Sequence, residues 1–329
     1  MTPLEAALIE RIKTEGPLSV EAFMEACNSY YYATRDPLGA SGDFITAPEI
    51  SQMYGELIGA ALADCWVRAG RPAGVRYAEL GPGRGTLAGD ALRVMKAAGC
   101  EPAAVHFVET SPVLRAAQDL AVPEIRFHDD IAGLAEGDGP LLVVASEFFD
   151  ALPVRQWVGG VERRVEWIGG HFAFDRDGPI VETSPAREAA MAELARIVVA
   201  RGGVAVLIDY GHDLRKAVGD TLQSMAAHRK TLPLDNPGEQ DLTAHVDFAA
   251  LGDAARDSGA RVSRLIAQGT WLETLGIGPR AMTLAARNPE RAEAIAAARR
   301  RLCDGDAMGT LFRVMAIAAP GWPLPAGLE

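Results

Sequence analysis

One segment limits what this chain can fold into more than any other: Arg76-Tyr-Ala-Glu-Leu-Gly-Pro-Gly-Arg-Gly-Thr-Leu87. A short apolar run carrying an acid, Glu79, meets three alternating glycines, Gly81, Gly83 and Gly85, and passes into a helix-like continuation. A strand, a glycine turn and a helix in that order let backbone approach a ligand closely, because glycine has no side chain and tolerates positive φ. The pattern is that of a nucleotide-type cofactor loop. Its G-x-G-x-G spacing is one residue tighter than the G-x-G-x-x-G of dinucleotide-binding folds, so a nicotinamide-dependent oxidoreductase fits it poorly.

The sequence around the loop supplies the sheet that such a loop needs. From Gly74 onward apolar strands are expected at 75–80, 104–109, 124–128 and 140–146, with helices at 86–97 and 111–119 between the earlier ones. Alternation of this kind predicts a parallel sheet. Gly203–Gly211, Arg261–Ala267 and Thr310–Ala318 supply three more strands. Short alternating segments at Val154–Val158, Arg164–Ile168 and His171–Asp175, followed by a helix, make residues 151–200 a β-rich insertion, and 211–246 form a second. The Ala/Arg-rich stretch near 281–302 reads as a surface helix. Residues 1–73 read as a separate helical and loop region: Leu4, Leu8 and Ile12 recur at helical spacing, and a second helix is expected from Glu49 to Arg68. The expected division is therefore 1–73 and a catalytic domain over 74–329.

Composition narrows the function. With 329 residues, 49% of them hydrophobic and 23% charged, the chain can bury a sizeable core. A formal charge of −12 disfavours nucleic acid as partner and suits a cationic substrate. Cys27, Cys65, Cys100 and Cys303 have no C-x-x-C spacing, so they read as buried thiols in a reducing compartment, and no metal site is expected. No apolar run has the length of a membrane span. The amphipathic N-terminus with Glu5 and Glu10 is unlike a signal or transit peptide, which makes the cytoplasm the expected location.

In an open parallel sheet, ligands bind beyond the carboxyl ends of the strands where the winding direction reverses. Nearly every expected strand here ends in an acid: Glu79, Glu109, Asp129-Asp130, Glu147 with Asp150, and Asp209. Glu109 lies near the offset, about 20 residues, at which an acid bonds ribose hydroxyls. Asp129 or Asp130 is placed to reach an adenine amino group, though Asp at this point also caps helices. Glu147 and Asp150 follow the fourth strand. Two carboxylates there match the charge and fork of a guanidinium, and bidentate pairing would orient one nitrogen toward an electrophile. The alternative is that the pair caps the next segment.

Several longer motifs carry a family resemblance. Glu79-Leu-Gly-Pro-Gly-Arg-Gly resembles motif I of S-adenosylmethionine-dependent methyltransferases with a Rossmann-like fold, whose seven-stranded sheet the expected strands fit. With Gly42-Asp-Phe-Ile-Thr-Ala-Pro-Glu-Ile-Ser-Gln, Glu147-Phe-Phe-Asp-Ala-Leu-Pro-Val, Asp209-Tyr-Gly, Gly219-Asp-Thr-Leu-Gln and Asp241-Leu-Thr-Ala-His-Val-Asp-Phe, the chain resembles the MidA-type protein arginine methyltransferases, the family that includes a mitochondrial complex I assembly factor. The resemblance implies S-adenosyl-L-methionine as cofactor, a protein presenting an arginine as substrate, and an α/β fold with an N-terminal helical layer and insertions. By motif, Glu79 to Gly85 would hold the methionine end, Glu109 the ribose, and Asp43 and Phe44 would cover the cofactor. Glu147 and Asp150 would face the acceptor, with His245 and Asp247 as substrate contacts. For the last two the competing reading is a histidine held by structure and a helix-capping Asp. A small-molecule methyltransferase and a noncatalytic assembly partner are the alternatives, and a homodimer is compatible with the sequence.

Overall fold

The computed structural model describes residues 2–35, 46–215, 217–227 and 229–329. Its centre is the sheet expected from the sequence: β1 (Arg76–Leu80), β2 (Ala104–Val108), β3 (Ile125–His128), β4 (Leu141–Ser146), β5 (Gly203–His212), β6 (Arg261–Val262) and β7 (Phe312–Ala318). They are ordered β3-β2-β1-β4-β5-β7-β6, with β7 antiparallel to both neighbours. The order reverses between β1 and β4, so the carboxyl ends of those two strands flank the crevice where such sheets bind ligands. Glu79 on β1 pairs in register with Phe107 and Val144. All five residues of β1 are buried, as a strand covered on both faces requires.

The expected strand 261–267 is broken. After Val262 the ladder is interrupted, and pairing with β7 resumes only at Ile266–Ala267. Ser263 causes the step: its hydroxyl accepts the Ala316 N–H at 2.8 Å and donates to the Arg264 carbonyl at 2.7 Å, taking over a position that a strand carbonyl would fill. The expected surface helix near 281–302 is likewise two helices, Ile277–Arg287 and Ala292–Cys303, parted at Asn288-Pro289 because the residue before proline is driven out of the helical region.

Apolar cores cover both faces of the sheet. On one side α1 (Gln52–Arg68) and α2 (Thr86–Ala97) pack together. They approach closely because Gly55 and Gly59, one turn apart, present no side chain: a Cβ on Gly59 would lie 2.5 Å from the Ala91 carbonyl oxygen and one on Gly55 2.8 Å from Asp90 Cβ. Helix α2 grows directly from the glycine loop, so this contact fixes the loop's exit. On the other side lie the helices Pro185–Arg201 and Phe248–Asp257.

A third core joins the N-terminal helices Pro3–Glu15 and Val20–Thr34 to both insertions. Leu8, Val20, Phe23 and Met24 pack with Val154, Val165, Phe172 and Leu242, and Leu18–Ser19 pairs antiparallel with Arg164–Val165. Cys27, Cys65 and Cys100 are buried free thiols, while Cys303 is partly exposed. Among the described residues no helix is long and apolar enough to cross a membrane.

Gly59→Leu forces four carbon atoms into the α1–α2 contact. We expect a loss of about 3 kcal/mol or more, read as a lower thermal midpoint; an unchanged midpoint would show that the helices do not meet there.

Candidate active site

The glycine loop is built from three left-handed residues, Gly81 at φ 61°, Gly83 at 56° and Gly85 at 80°. The Gly85 N–H closes a turn onto the Pro82 carbonyl at 2.8 Å, and Gly81 N–H bonds the Val108 carbonyl at 3.0 Å. Gly81 is confined twice over, since a Cβ there would meet the Phe148 ring at 3.1 Å. One buried amide ties the loop to Glu109: Gln118 Nε2 donates to the Gly83 carbonyl at 2.6 Å and to Glu109 Oε2 at 3.2 Å. Glu109 Oε1 accepts the Ser111 N–H at 2.8 Å. The Thr110 backbone bonds the same carboxylate, which lines the cavity and whose two oxygens can accept from a vicinal diol. Burial raises the Glu109 carboxyl above its ordinary range.

The two aspartates after β3 are placed differently from each other. Asp130 is the N-cap of the short helix Ile131–Ala135, accepting the Gly133 N–H at 3.1 Å. Asp129 is largely exposed and pairs with Arg115 at 2.7 Å. Both line the same cavity as Glu109. Glu79 lies below the loop, 2% exposed, accepting the Tyr77 hydroxyl at 2.8 Å; burial pushes it up to about 8. Asp43 and Phe44 fall outside the described residues.

The segment after β4 forms the other wall. Glu147 takes φ 56°, unusual for a residue with a side chain. Its N–H bonds the Ile208 carbonyl at 2.9 Å, and its Oε1 accepts the Ala47 N–H at 3.2 Å. Asp209 Oδ2 then accepts two successive amides, Phe149 at 3.0 Å and Asp150 at 3.2 Å. Asp150 is 3% exposed and bonded by the Tyr210 hydroxyl. Burial pushes Glu147 up to about 8, with Asp150 adding to the rise, and burial also raises Asp150 and Asp209.

Two side chains absent from the sequence reading hold this wall in place. Arg187 donates to four backbone carbonyls, Asp150 at 2.8 Å, Leu152 at 3.2 Å, Ala244 at 3.0 Å and His245 at 2.7 Å. Asn28 donates to the Ala151 and Leu242 carbonyls at 2.9 and 2.7 Å and accepts the Leu242 N–H at 3.1 Å. His245 lines the cavity with its ring edge-on to Tyr210, 5.8 Å between centroids, and burial keeps it neutral by lowering its affinity for protons. Asp247 is the N-cap of Phe248–Asp257, accepting from Ala249 and Ala250 at 2.9 and 3.1 Å, which is the capping reading of that residue.

All of these residues except Asp247 and the two outside the described chain converge on one cavity of about 1110 Å³ or on its immediate wall. It runs from Asp129 and Ile131 past the glycine loop to Glu147, Asp150 and His245, and on to Tyr32, Met225 and Lys230. The glycine cradle and Glu109 fit one end to an adenosyl group. The acids fit the other end to a cation.

Comparison with known proteins agrees with this geometry. Residues 57–176 and 161–266 match the family described as S-adenosyl-L-methionine-dependent methyltransferase. The chain is 32% identical to "Protein arginine methyltransferase NDUFAF7, mitochondrial" of Bos taurus, over 85% of this chain and 75% of the relative. It is 32% identical to the Drosophila melanogaster homologue of that name, over 95% and 84%. Its fold superposes, with a TM-score of 0.86 and 27% identity over 98% of this chain and 93% of the other, on a Burkholderia thailandensis protein solved with S-adenosyl-homocysteine bound.

Gly83→Val places a β-branched residue at φ 56°, where only glycine sits without strain, and puts a side chain at the ligand surface of the loop. Calorimetric affinity for S-adenosyl-homocysteine is expected to fall on the order of a hundredfold. Wild-type affinity would place the cofactor elsewhere.

Proposed function

The chain belongs to this family of S-adenosyl-L-methionine-dependent methyltransferases, and on that premise we propose that it methylates an arginine side chain of a protein. The observation that carries the reading is the pair of acids after β4, Glu147 and Asp150, set into the wall of the cofactor cavity. The printed names of the relatives point the same way. By family resemblance the client is a subunit of respiratory complex I or its counterpart. The net charge of −12 also favours a cationic acceptor and argues against nucleic acid.

Gly81, Gly83, Gly85 and Glu79 would hold the methionine end of the cofactor, Glu109 the ribose, and Asp129 or Asp130 the adenine end. Bound there, S-adenosyl-L-methionine supplies an electrophilic methyl group on a sulfonium. The protein's own work is to present the nucleophile. A guanidinium stays protonated in water, and its charge must be drawn to one side for the opposite nitrogen to attack. Glu147 and Asp150 do this by accepting N–H bonds, and the Glu147 carboxylate takes the proton that the guanidinium loses once its nitrogen has attacked and gained the methyl group, so that the product keeps a single positive charge. His245 packs edge-on against Tyr210 in the cavity wall. Placement of the acceptor carries most of the rate.

Glu147→Gln keeps the shape and the acceptor for the Ala47 N–H but removes the charge. Methyl transfer is expected to fall on the order of a hundredfold or more, with cofactor affinity nearly unchanged. Because the carboxyl sits near 8 in the folded protein against an ordinary 4.5, the folded state holds the proton more tightly than the unfolded one. Glu147 therefore lowers stability as pH rises from about 5 to 8. The variant should be as stable as wild type at pH 5 and more stable at pH 9 by thermal unfolding. In wild type, kcat/KM should rise with pH to an inflection near 8 that the variant lacks. Unfolding of the variant, or intact transfer to an arginine client, would make Glu147 a structural acid.

A further inference from the structure

The short helix Ala47–Ile50 is tied to both walls of the cavity. At its first residue the Ala47 N–H donates to Glu147 Oε1 at 3.2 Å, on the wall that follows β4. Two residues later Glu49 Oε1 accepts the hydroxyl of Thr86, the first residue of α2, the helix that grows from the glycine loop. Pro48, Glu49, Thr86 and Glu147 all line the cavity. One turn of backbone therefore joins the cofactor loop to the acid on the acceptor side.

So short a helix cannot hold itself. Four residues are far below the length at which a helix is stable alone, and among the described residues Thr46, its N-cap, makes no side-chain capping bond. Its place is set from outside. The Ala47 methyl is fully buried in the core that holds Met53 and Tyr54 of α1, and Ser51 caps α1 directly afterwards by accepting the Met53 N–H at 3.2 Å. Pro48 fixes a backbone dihedral between Ala47 and Glu49, so the two polar ties move together. At Glu147 the Ala47 N–H and the Arg301 guanidinium favour the charged carboxylate, against burial, Asp150 and Asp241, which disfavour it. Asp209 on β5 and Tyr54 on α1 are raised by Glu147 in turn.

We infer that Glu49 is a positioning residue for the transfer: by holding Thr86 it keeps the Ala47 amide against Glu147, and so sets the acceptor-side carboxylate from the cofactor loop. The inference rests on the reading of Glu147 given above. It adds a residue that acts through Thr86 and Ala47, on the segment that leads into α1. Releasing Glu49 from Thr86 is then felt at Glu147 as the loss of a donor. The carboxylate loses the N–H bond that favours its charged form and holds its proton more tightly.

The Glu147 carboxyl can be watched directly. Glutamate labelled with carbon-13 at the side-chain carboxyl is incorporated into the full-length protein, the Glu147 resonance is identified as the one lost in Glu147→Gln, and its titration is followed by nuclear magnetic resonance. Calorimetric binding of S-adenosyl-homocysteine reports that each variant is folded. Wild type is expected to titrate at about 8. Thr86→Val keeps the shape and every charge but removes the donor, and should make Glu147 hold its proton on the order of threefold or more tightly. Thr86→Ser, which restores the hydroxyl, should titrate as wild type. Glu49→Gln and Glu49→Ala lose the same charge, but only glutamine keeps an acceptor for Thr86, so the alanine variant should titrate above the glutamine one. A wild-type midpoint in Thr86→Val, a shift shared by Thr86→Ser, or equal midpoints in the two Glu49 variants overturns the inference. If Thr86→Val does not bind S-adenosyl-homocysteine, the Glu49 pair decides alone. No acceptor enters the experiment, so its failure leaves the arginine reading standing; that reading falls separately, on intact transfer by Glu147→Gln.

Discussion

A single buried carboxylate shapes the acceptor side of this protein. Asp209, 1% exposed at the end of β5, accepts the amides of Phe149 and Asp150 on one oxygen and its neighbour's amide on the other. Those bonds turn the chain sharply after β4. Without them the Phe149 and Asp150 N–H groups would be buried and unpaired, each at a cost of about 1–3 kcal/mol. With them, Glu147 is driven into its left-handed conformation and Asp150 is carried to the cavity wall. Arg187 completes the bracket from behind by collecting four carbonyls of two separate segments, 150–152 and 244–245. Glu147 and Asp150 are therefore placed by backbone hydrogen bonding, and their carboxylates are then held by the Ala47 N–H and the Tyr210 hydroxyl.

That arrangement spends stability. Burial raises Glu79, Glu147, Asp150 and Asp209, and at Glu147 and Asp209 the neighbouring acids add to the rise. A fold selected only for stability would dilute such a cluster or pair it with cations. Here Arg187, the buried arginine beside the cluster, spends its hydrogen bonds on backbone carbonyls and only partly offsets the rise at Asp150 and Asp209. The cofactor end is built on the opposite logic. There the loop offers backbone and empty space, and the positive φ of three glycines leaves room where side chains would stand.

The parts of this design that the sequence displays are those encoded locally. The strand, glycine turn and helix at 76–97 were readable because apolar run, glycines and helical period lie side by side, and the acids at strand ends followed from the same reading. The short strands of the first insertion were legible too, while those of the second, Gln223–Ala226, Arg229–Thr231 and Asp241–Thr243, were not. What both insertions pack against was not legible either, since the pairing of Leu18 with Val165 and the core shared by Phe23, Phe172 and Leu242 depend on contacts across more than a hundred residues. Local capping rules account for two of the acids: Asp247 caps a helix through two amides, and Asp130 caps another while still lining the cavity. Ser263 broke a strand that its apolar neighbours predicted, because a hydroxyl that competes for ladder bonds leaves no trace in hydrophobic period. Arg187, Asn28 and Gln118 carried no sequence signal at all. Each is one polar residue on an otherwise amphipathic helix, and only the assembled fold shows which carbonyls it serves.

In the proposed mechanism the acids beyond β4 present a guanidinium to the cofactor. The most direct measurement locates the transferred methyl group. Purified protein is incubated with S-adenosyl-L-methionine bearing a deuterated methyl group and a protein extract, binding partners are captured on the protein, and fragmentation mass spectrometry maps the label. Deuterated methyl is expected on an arginine side-chain nitrogen of a retained protein. Label on lysine, on a carboxylate or only on small molecules would contradict it.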